Sequence, residues 1–218
     1  MSLRKKMSQT RIFKVTELTP AQLIAVARDL EQGAVVVLPT DTVYGIGTAA
    51  NREKSIQTIF RLKKRPATNP LQLLSGSLEQ VRQAAVVSKA AQRLAEAFWP
   101  GGLTLILPPS ESGKIFLRGA AGLGFRVPNH LFLLELLKQM PVPLSCTSAN
   151  LHGQDVITQE RVLIDTFDGK VDYIFCAGTL SPVASSVVDM MSEPKLLREG
   201  ALSQEQLERV LGKTLARK

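Results

Sequence analysis

An α/β fold built on a mixed sheet is what the sequence predicts, and three observations carry that expectation. Short aliphatic, β-branched runs, AVVVLP at 34–39 above all, read as strands buried on both faces. Amphipathic stretches with start and stop signals lie between them, TPAQLIAVARDLEQG at 19–33 being the clearest. Strands and helices follow one another without strict βαβ alternation, which argues for a mixed sheet. No internal repeat or linker-like segment divides the chain, so one layered domain is expected.

Each element has its local reason. RIFKVT (11–16) alternates and reads as a strand. In 19–33, Thr19 is an N-cap, Pro20 takes the first helical position, Gln22 completes a capping box and Gly33 stops the helix. TDTVYGIGTAA (40–50) reads as a loop with two glycines. NREKSIQTIFRLKK (51–64) reads as a helix with Ile56, Ile59, Phe60 and Lys63 on one side. Pro66 ends it, because the residue before a proline avoids the α region. LQLLSG (71–76) is a strand. SLEQVRQAA (77–85) is a helix with a second capping box, Ser77 and Gln80. KAAQRLAEAFWPGG (89–102) is a helix stopped by Pro100, Gly101 and Gly102. LTLILP (103–108), GFRVP (124–128) and PLSCTS (143–148) are strands, with the apolar helix HLFLLELLKQM (130–140) between the last two. VDYIFCAG, SSVVDM and PKLLREG are strands or strand ends, and SQEQLERVLGKTL (203–215) is an amphipathic closing helix. The basic ends, 4–14 and 213–218, read as frayed tails.

Bulk composition narrows function. The 218 residues carry a net charge of +8, which favours anionic partners without choosing among them. Two cysteines and two histidines give neither a disulfide framework nor metal-ligand spacing, so no protein-only metal site is expected. No apolar run approaches the roughly 20 residues that span a bilayer. The basic N-terminus lacks the apolar region of a signal peptide. A reducing, cytoplasmic setting without a membrane follows as the expectation.

Several clusters then compete for a role. GIGTAA (45–50) matches G-x-G-x-x-A, but it is set off from the preceding strand and lacks the later acidic residue of a dinucleotide fingerprint. Thr40, Asp41, Thr42 and Tyr44 follow a buried strand and fit either a ligand crevice or a self-capped turn. Arg61, Lys63, Lys64 and Arg65 stand at a helix C-terminus, where one or two cations would complement the dipole. Their density, stiffened by Pro66 and Pro70, suits a phosphate: lysine as a point charge, arginine as a planar fork. In CTSAN (146–150), Ser148 and Asn150 share one side of an extended segment and either contact a ligand or close a turn. Nothing visible lowers the Cys146 thiol pKa, and His152 reads as an ordinary loop residue. Arg126 inside an apolar strand faces outward or into a site. Ser185, Ser186, Asp189 and Arg198 pose the same choice.

Taken in order, PTDTVYGIG, KKRPATNPL, WPGGLTLIL, GFRVP, SCTSAN, SSVVD and LLREG resemble the YrdC/Sua5 family, the threonylcarbamoyl-adenylate synthases of tRNA modification. The resemblance covers residues 12–202, leaving a basic extension at 1–11 and a C-terminal helix and basic tail at 203–218. The family's K-x-R and S-x-N match as Lys63-Lys64-Arg65 and Ser148-Ala149-Asn150. Departures are Lys64 where glycine is common, Cys146 where a small residue or proline is frequent, and Gly102 where proline is usual.

The resemblance implies a twisted mixed sheet with flanking helices around a large basic cavity, in the single-domain form. It implies formation of L-threonylcarbamoyl-AMP and pyrophosphate from L-threonine, bicarbonate or CO2, and ATP with Mg2+. A separate tRNA-threonylcarbamoyl transferase complex then modifies adenosine 37 of tRNA. It assigns ATP to Lys63, Arg65, Thr104, Ser148, Asn150 and Arg198, with Lys63 and Arg65 also catalytic. It assigns L-threonine to Thr42, Tyr44, Asn69, Arg126 and Ser185. The competing reading is an RNA-binding module, and weak RNA binding also fits the charge. Aromatics at 5% and the lack of a stacking motif speak against RNA as the main substrate. A carbamoyl-transfer domain of the hydrogenase-maturation type would carry zinc-finger cysteines that this chain lacks.

Overall fold

Thr19 opens the first helix as expected. Its side chain accepts from Gln22 N while the Gln22 side chain returns to the Thr19 backbone, and helix α1 runs Pro20–Glu31. Gly33, at φ +101°, turns the chain out of it. The computed structural model describes residues 9–64, 66, 69–151, 153–180 and 183–217. Strands β1 (Arg11–Lys14), β2 (Val36–Leu38), β3 (Gly45–Ala49), β4 (Gln72–Leu74), β5 (Leu103–Leu107) and β6 (Leu123–Arg126) lie in the first part of the chain. Strands β7 (Leu144–Ser148), β8 (Tyr173–Cys176), β9 (Ser186–Asp189), β10 (Lys195–Arg198) and β11 (Ala216–Arg217) complete one sheet. Among the described residues its order is β1-β8-β2-β3-β7-β4-β6-β5-β9-β10-β11. β4 is parallel to β6 and β5 to β9, whereas β3, β7 and β4 run antiparallel in turn, so the sheet is mixed.

Period-2 alternation sends each strand's side chains into separate cores. In β2, Val36 and Leu38 pack toward α1 and α5 (Leu131–Lys138), while Val37 packs toward α2 (Glu53–Lys63) and α6 (Glu160–Phe167). That two-sided burial is what an unbroken apolar run requires. A third cluster joins Leu73, Leu105 and Phe125 to helices α3 (Leu78–Ala84), α4 (Lys89–Phe98) and α7 (Gln204–Leu211). Leu207 and Leu211 of α7 are buried in that cluster, and β11 pairs with β10.

Four local expectations change. Gly45–Ala49 is a strand, not a loop. A Cβ on Gly45 would come within 2.5 Å of Cys146 Sγ, and one on Gly47 within 2.9 Å of Ser145 O. These glycines admit the neighbouring strand β7, and their φ values do not require glycine. Helix α2 stops one step earlier than Pro66 would impose. Lys64 adopts the left-handed conformation at φ 53°, and its N–H reaches Arg61 O and Phe60 O. At α3, Ser77 accepts from Gln80 N, but the Gln80 side chain accepts from Gly76 N at 2.7 Å, so only half a capping box forms. The expected fraying does not extend over Arg11–Lys14, paired with β8, or Ala216–Arg217. The 3-10 turn at Ser112–Phe116 and helix α6 were not foreseen. Among the described residues no helix is long and apolar enough to cross a membrane.

Candidate active site

The same alternation that fills the cores builds the site. On the central strands Leu73, Leu105, Phe125 and Val188 face one core. Gln72, Thr104, Arg126, Cys146 and Val187, one residue out of phase, face the other way and line a cavity of about 330 Å³. Polar residues are tolerated there because the face opens on a cavity rather than on packed apolar side chains.

One wall is organised by Arg126, which is only 3% exposed. Its Nη2 donates to Asp41 Oδ1 at 2.5 Å, Nη1 to Thr42 Oγ1 at 2.8 Å and Nε to Gly101 O at 2.9 Å. The loop supplying Asp41 and Thr42 is shaped by Thr40, whose Oγ1 accepts from the N–H groups of Thr42 and Val43 at 3.1 Å each. The turn is capped by Thr40, where the sequence pointed to Asp41 and Thr42, and it carries Thr42 to the cavity. The Tyr44 side chain does not line it. The residue is buried, its hydroxyl donates to Gly178 O at 2.7 Å and accepts from Ala177 N at 2.9 Å, and burial raises its pKa.

The facing wall is a chain of hydrogen bonds. Gln72 Nε2 donates to Thr104 Oγ1, and Thr104 Oγ1 lies 2.8 Å from Ser185 Oγ. Arg198 donates from Nε to Ser185 O at 2.9 Å and from Nη2 to Ser185 Oγ at 3.1 Å. Partial burial of the Arg198 guanidinium, and then the charge of Arg126, lower its pKa from the ordinary arginine value. The neighbours Ser186 and Asp189 turn elsewhere. Ser186 Oγ donates to Leu202 O and accepts from Gly200 N, and Asp189 accepts from Met191 N. Of that group of four, Ser185 and Arg198 reach the cavity.

A third side comes from the end of β7. Ser148 lines the cavity, and its hydroxyl donates to Asn150 Oδ1 at 2.6 Å. Beneath it lies Lys63, 1% exposed, on the apolar face of α2. Its Nζ donates to Asn150 O at 2.6 Å, to Asn150 Oδ1 at 2.9 Å and to Ser148 O. An ammonium buried among carbonyls is stabilised by those acceptors. Lys63 therefore fixes the turn at 148–150 and places its charge behind it. Asn150 lines an adjoining groove of about 440 Å³ with Gln154 and Thr158. Pro70 lines the cavity, while its neighbour Asn69 does not. Arg65 and His152 lie outside the described residues.

The structure thus brings together Thr42, Thr104, Arg126, Ser148, Ser185 and Arg198 in one cavity. Sequence reasoning missed Gln72, whose signal was a lone amide between apolar strand residues, and the pairing of Asp41 with Arg126. Burial pushes the Cys146 thiol up to about 12, which keeps it neutral and unsuited to nucleophilic attack. Among the described residues no three His, Cys, Asp or Glu side chains converge as a metal-binding group.

A sequence model of the family described as Sua5_yciO_yrdC, telomere recombination, matches residues 28–200. The threonylcarbamoyl-AMP synthase of Pyrococcus abyssi (strain GE5 / Orsay) is 36% identical over 208 residues, covering 93% of this chain and 61% of its own. That of Bacillus subtilis (strain 168) is 33% identical over 196 residues, covering 88% of this chain and 57% of its own. This chain therefore spans about three-fifths of the length of these relatives. The crystal structure of P. abyssi Sua5 complexed with L-threonine superposes with a TM-score of 0.84 at 33% identity, over 96% of this chain and 62% of that one.

Proposed function

The chain belongs to the Sua5/YciO/YrdC family, and from that premise we propose that its cavity is the site of an L-threonylcarbamoyladenylate synthase. In this reading L-threonine, bicarbonate or CO2, and ATP give L-threonylcarbamoyl-AMP and pyrophosphate, and a transferase complex then modifies adenosine 37 of tRNA in the cytoplasm. The observation that supports it most is convergence. Six side chains assigned by motif, from six separate segments, line one cavity. The names of the relatives, and the L-threonine bound to P. abyssi Sua5, support the choice of substrate.

The chemistry suits such a site. The neutral threonine amine attacks CO2 and sheds a proton, or attacks bicarbonate with loss of water, to give a carbamate. A carbamate oxygen then displaces pyrophosphate at the α-phosphorus of ATP. That substitution depends on positioning and charge stabilisation, and it needs no histidine base. Magnesium enters as MgATP. Thr42, Arg126 and Ser185 hold the amino acid, with Asn69 beside Pro70 at the approach. Thr104, Ser148, Asn150, Arg198 and Arg65 meet the nucleotide. Lys63 supplies charge from behind the 148–150 turn. Residues 12–202 form the catalytic unit.

Pyrophosphate release is the test. The protein with MgATP, bicarbonate and L-threonine is expected to release pyrophosphate, and omitting either threonine or bicarbonate is expected to stop it. Release that ignores both would sink the reading. RNA binding with a steep salt slope and no turnover would favour an RNA-binding module instead.

A further inference from the structure

Gln72 stands between Leu71, Leu73 and Leu74, and none of the roles above requires an amide there. Its side chain lines the cavity, with Nε2 donating to Thr104 Oγ1. Thr104 Oγ1 and Ser185 Oγ are 2.8 Å apart, and Ser185 Oγ accepts from Arg198 Nη2 at 3.1 Å. An amide nitrogen and a guanidinium only donate, whereas a hydroxyl carries one proton and accepts two. The Thr104–Ser185 pair therefore receives a donor at each end. One of its two protons makes the bond between the oxygens. Whichever oxygen supplies that proton, the other hydroxyl's proton is left over. Among the described residues neither hydroxyl has a further acceptor, and both side chains line the cavity.

We infer that Gln72 is a positioning residue: with its Nε2 turned to Thr104, it and Arg198 cap the hydroxyl pair with donors, so that the pair presents a proton to an oxygen acceptor on the bound amino acid. The inference rests on reading the cavity as the L-threonine site, and the acceptor is either the carboxylate or the hydroxyl oxygen. The Arg198 charge at the end of the chain polarises the bonds and strengthens that donor. An acceptor at position 72 would reverse the arrangement. Thr104 would donate to it, Ser185 would donate to Thr104, and no proton would face the ligand.

Gln72→Glu makes that reversal with almost no change of shape. Calorimetric titration with L-threonine is expected to show affinity falling about tenfold or more at neutral pH. Affinity is expected to recover as pH falls and the new carboxyl gains a proton to donate, a pH response the original protein lacks. Gln72→Leu removes the cap without reversing it, and a smaller loss is expected. L-2-aminobutyrate, which lacks the hydroxyl, identifies the acceptor. If Gln72→Glu weakens both ligands the carboxylate is read, and if threonine alone is weakened the hydroxyl is read. Neutron diffraction of the unliganded protein provides an independent arm, with one hydroxyl proton of the pair expected to point into the cavity. Both variants binding L-threonine as tightly as the original chain would overturn the inference, as would neutron density with both protons directed away from the cavity. An original chain that binds no L-threonine, yet shows the cavity-facing proton, would defeat the functional reading and leave the role of Gln72 standing.

Discussion

The two walls of the cavity each present an arginine, and the two are held in opposite ways. Arg126 is buried and donates from all three of its nitrogens, with Asp41 close enough to offset its charge before any ligand arrives. Arg198 is more exposed, and its hydrogen bonds go to the backbone and hydroxyl of Ser185. Among the described residues it has no carboxylate in ion-pair range. One arginine is a neutralised template that fixes shape. The other has no counter-ion built in among the described residues. The same side chain in one cavity is thus held in two ways.

Substitutions can break this contrast. Arg126→Ala should have the largest effect, because it leaves the Asp41 carboxylate, 16% exposed, without its partner. A loss of about 3–5 kcal/mol is expected in denaturant unfolding, along with loss of turnover. A loss below about 1 kcal/mol would mean that Arg126 is not the template. Arg198→Ala should separate function from folding. Turnover is expected to fall about a hundredfold or more, equivalent to roughly 2.7 kcal/mol of transition-state stabilisation, with stability changing by no more than about 1 kcal/mol. Equal stability losses in the two variants would erase the distinction. The smallest effect belongs to Lys64, exposed and left-handed, next to the buried Lys63. Lys64→Gly relieves the backbone and should raise stability by about 0.5–1 kcal/mol with turnover unchanged. Reduced turnover would show that the Lys64 charge contributes to the site.

The sequence made these features legible to different degrees. Helix α1 was readable because its capping box and its terminating glycine are local chemistry. The burial of Lys63 was readable from helical spacing, which set it on the same side as Ile56, Ile59 and Phe60. What holds the Lys63 ammonium was not readable, since its acceptors at Ser148 and Asn150 come from a distant strand end. Strand β3 passed for a loop because two of its five residues are glycines, and the reason for those glycines lies across the sheet on β7. Tyr44 looked like a ligand contact because it shares a polar loop with Thr42, but its hydroxyl pairs with Gly178 across the core. The glycine common in the middle of the family's K-x-R motif also gains a physical reason, since the position takes a positive φ.

The contact between β3 and β7 makes one substitution depend on another. A Cβ on Gly45 would lie 2.5 Å from Cys146 Sγ, while its next neighbours, Thr147 O at 3.5 Å and Leu38 Cδ1 at 3.9 Å, would be in ordinary contact. One sulfur atom is therefore what a side chain at position 45 would have to displace. Shortening Cys146 to glycine opens that space for a Cβ at position 45. The dependence runs one way: position 146 can change while position 45 stays glycine, whereas a side chain at position 45 requires the Cys146 sulfur to be moved or removed.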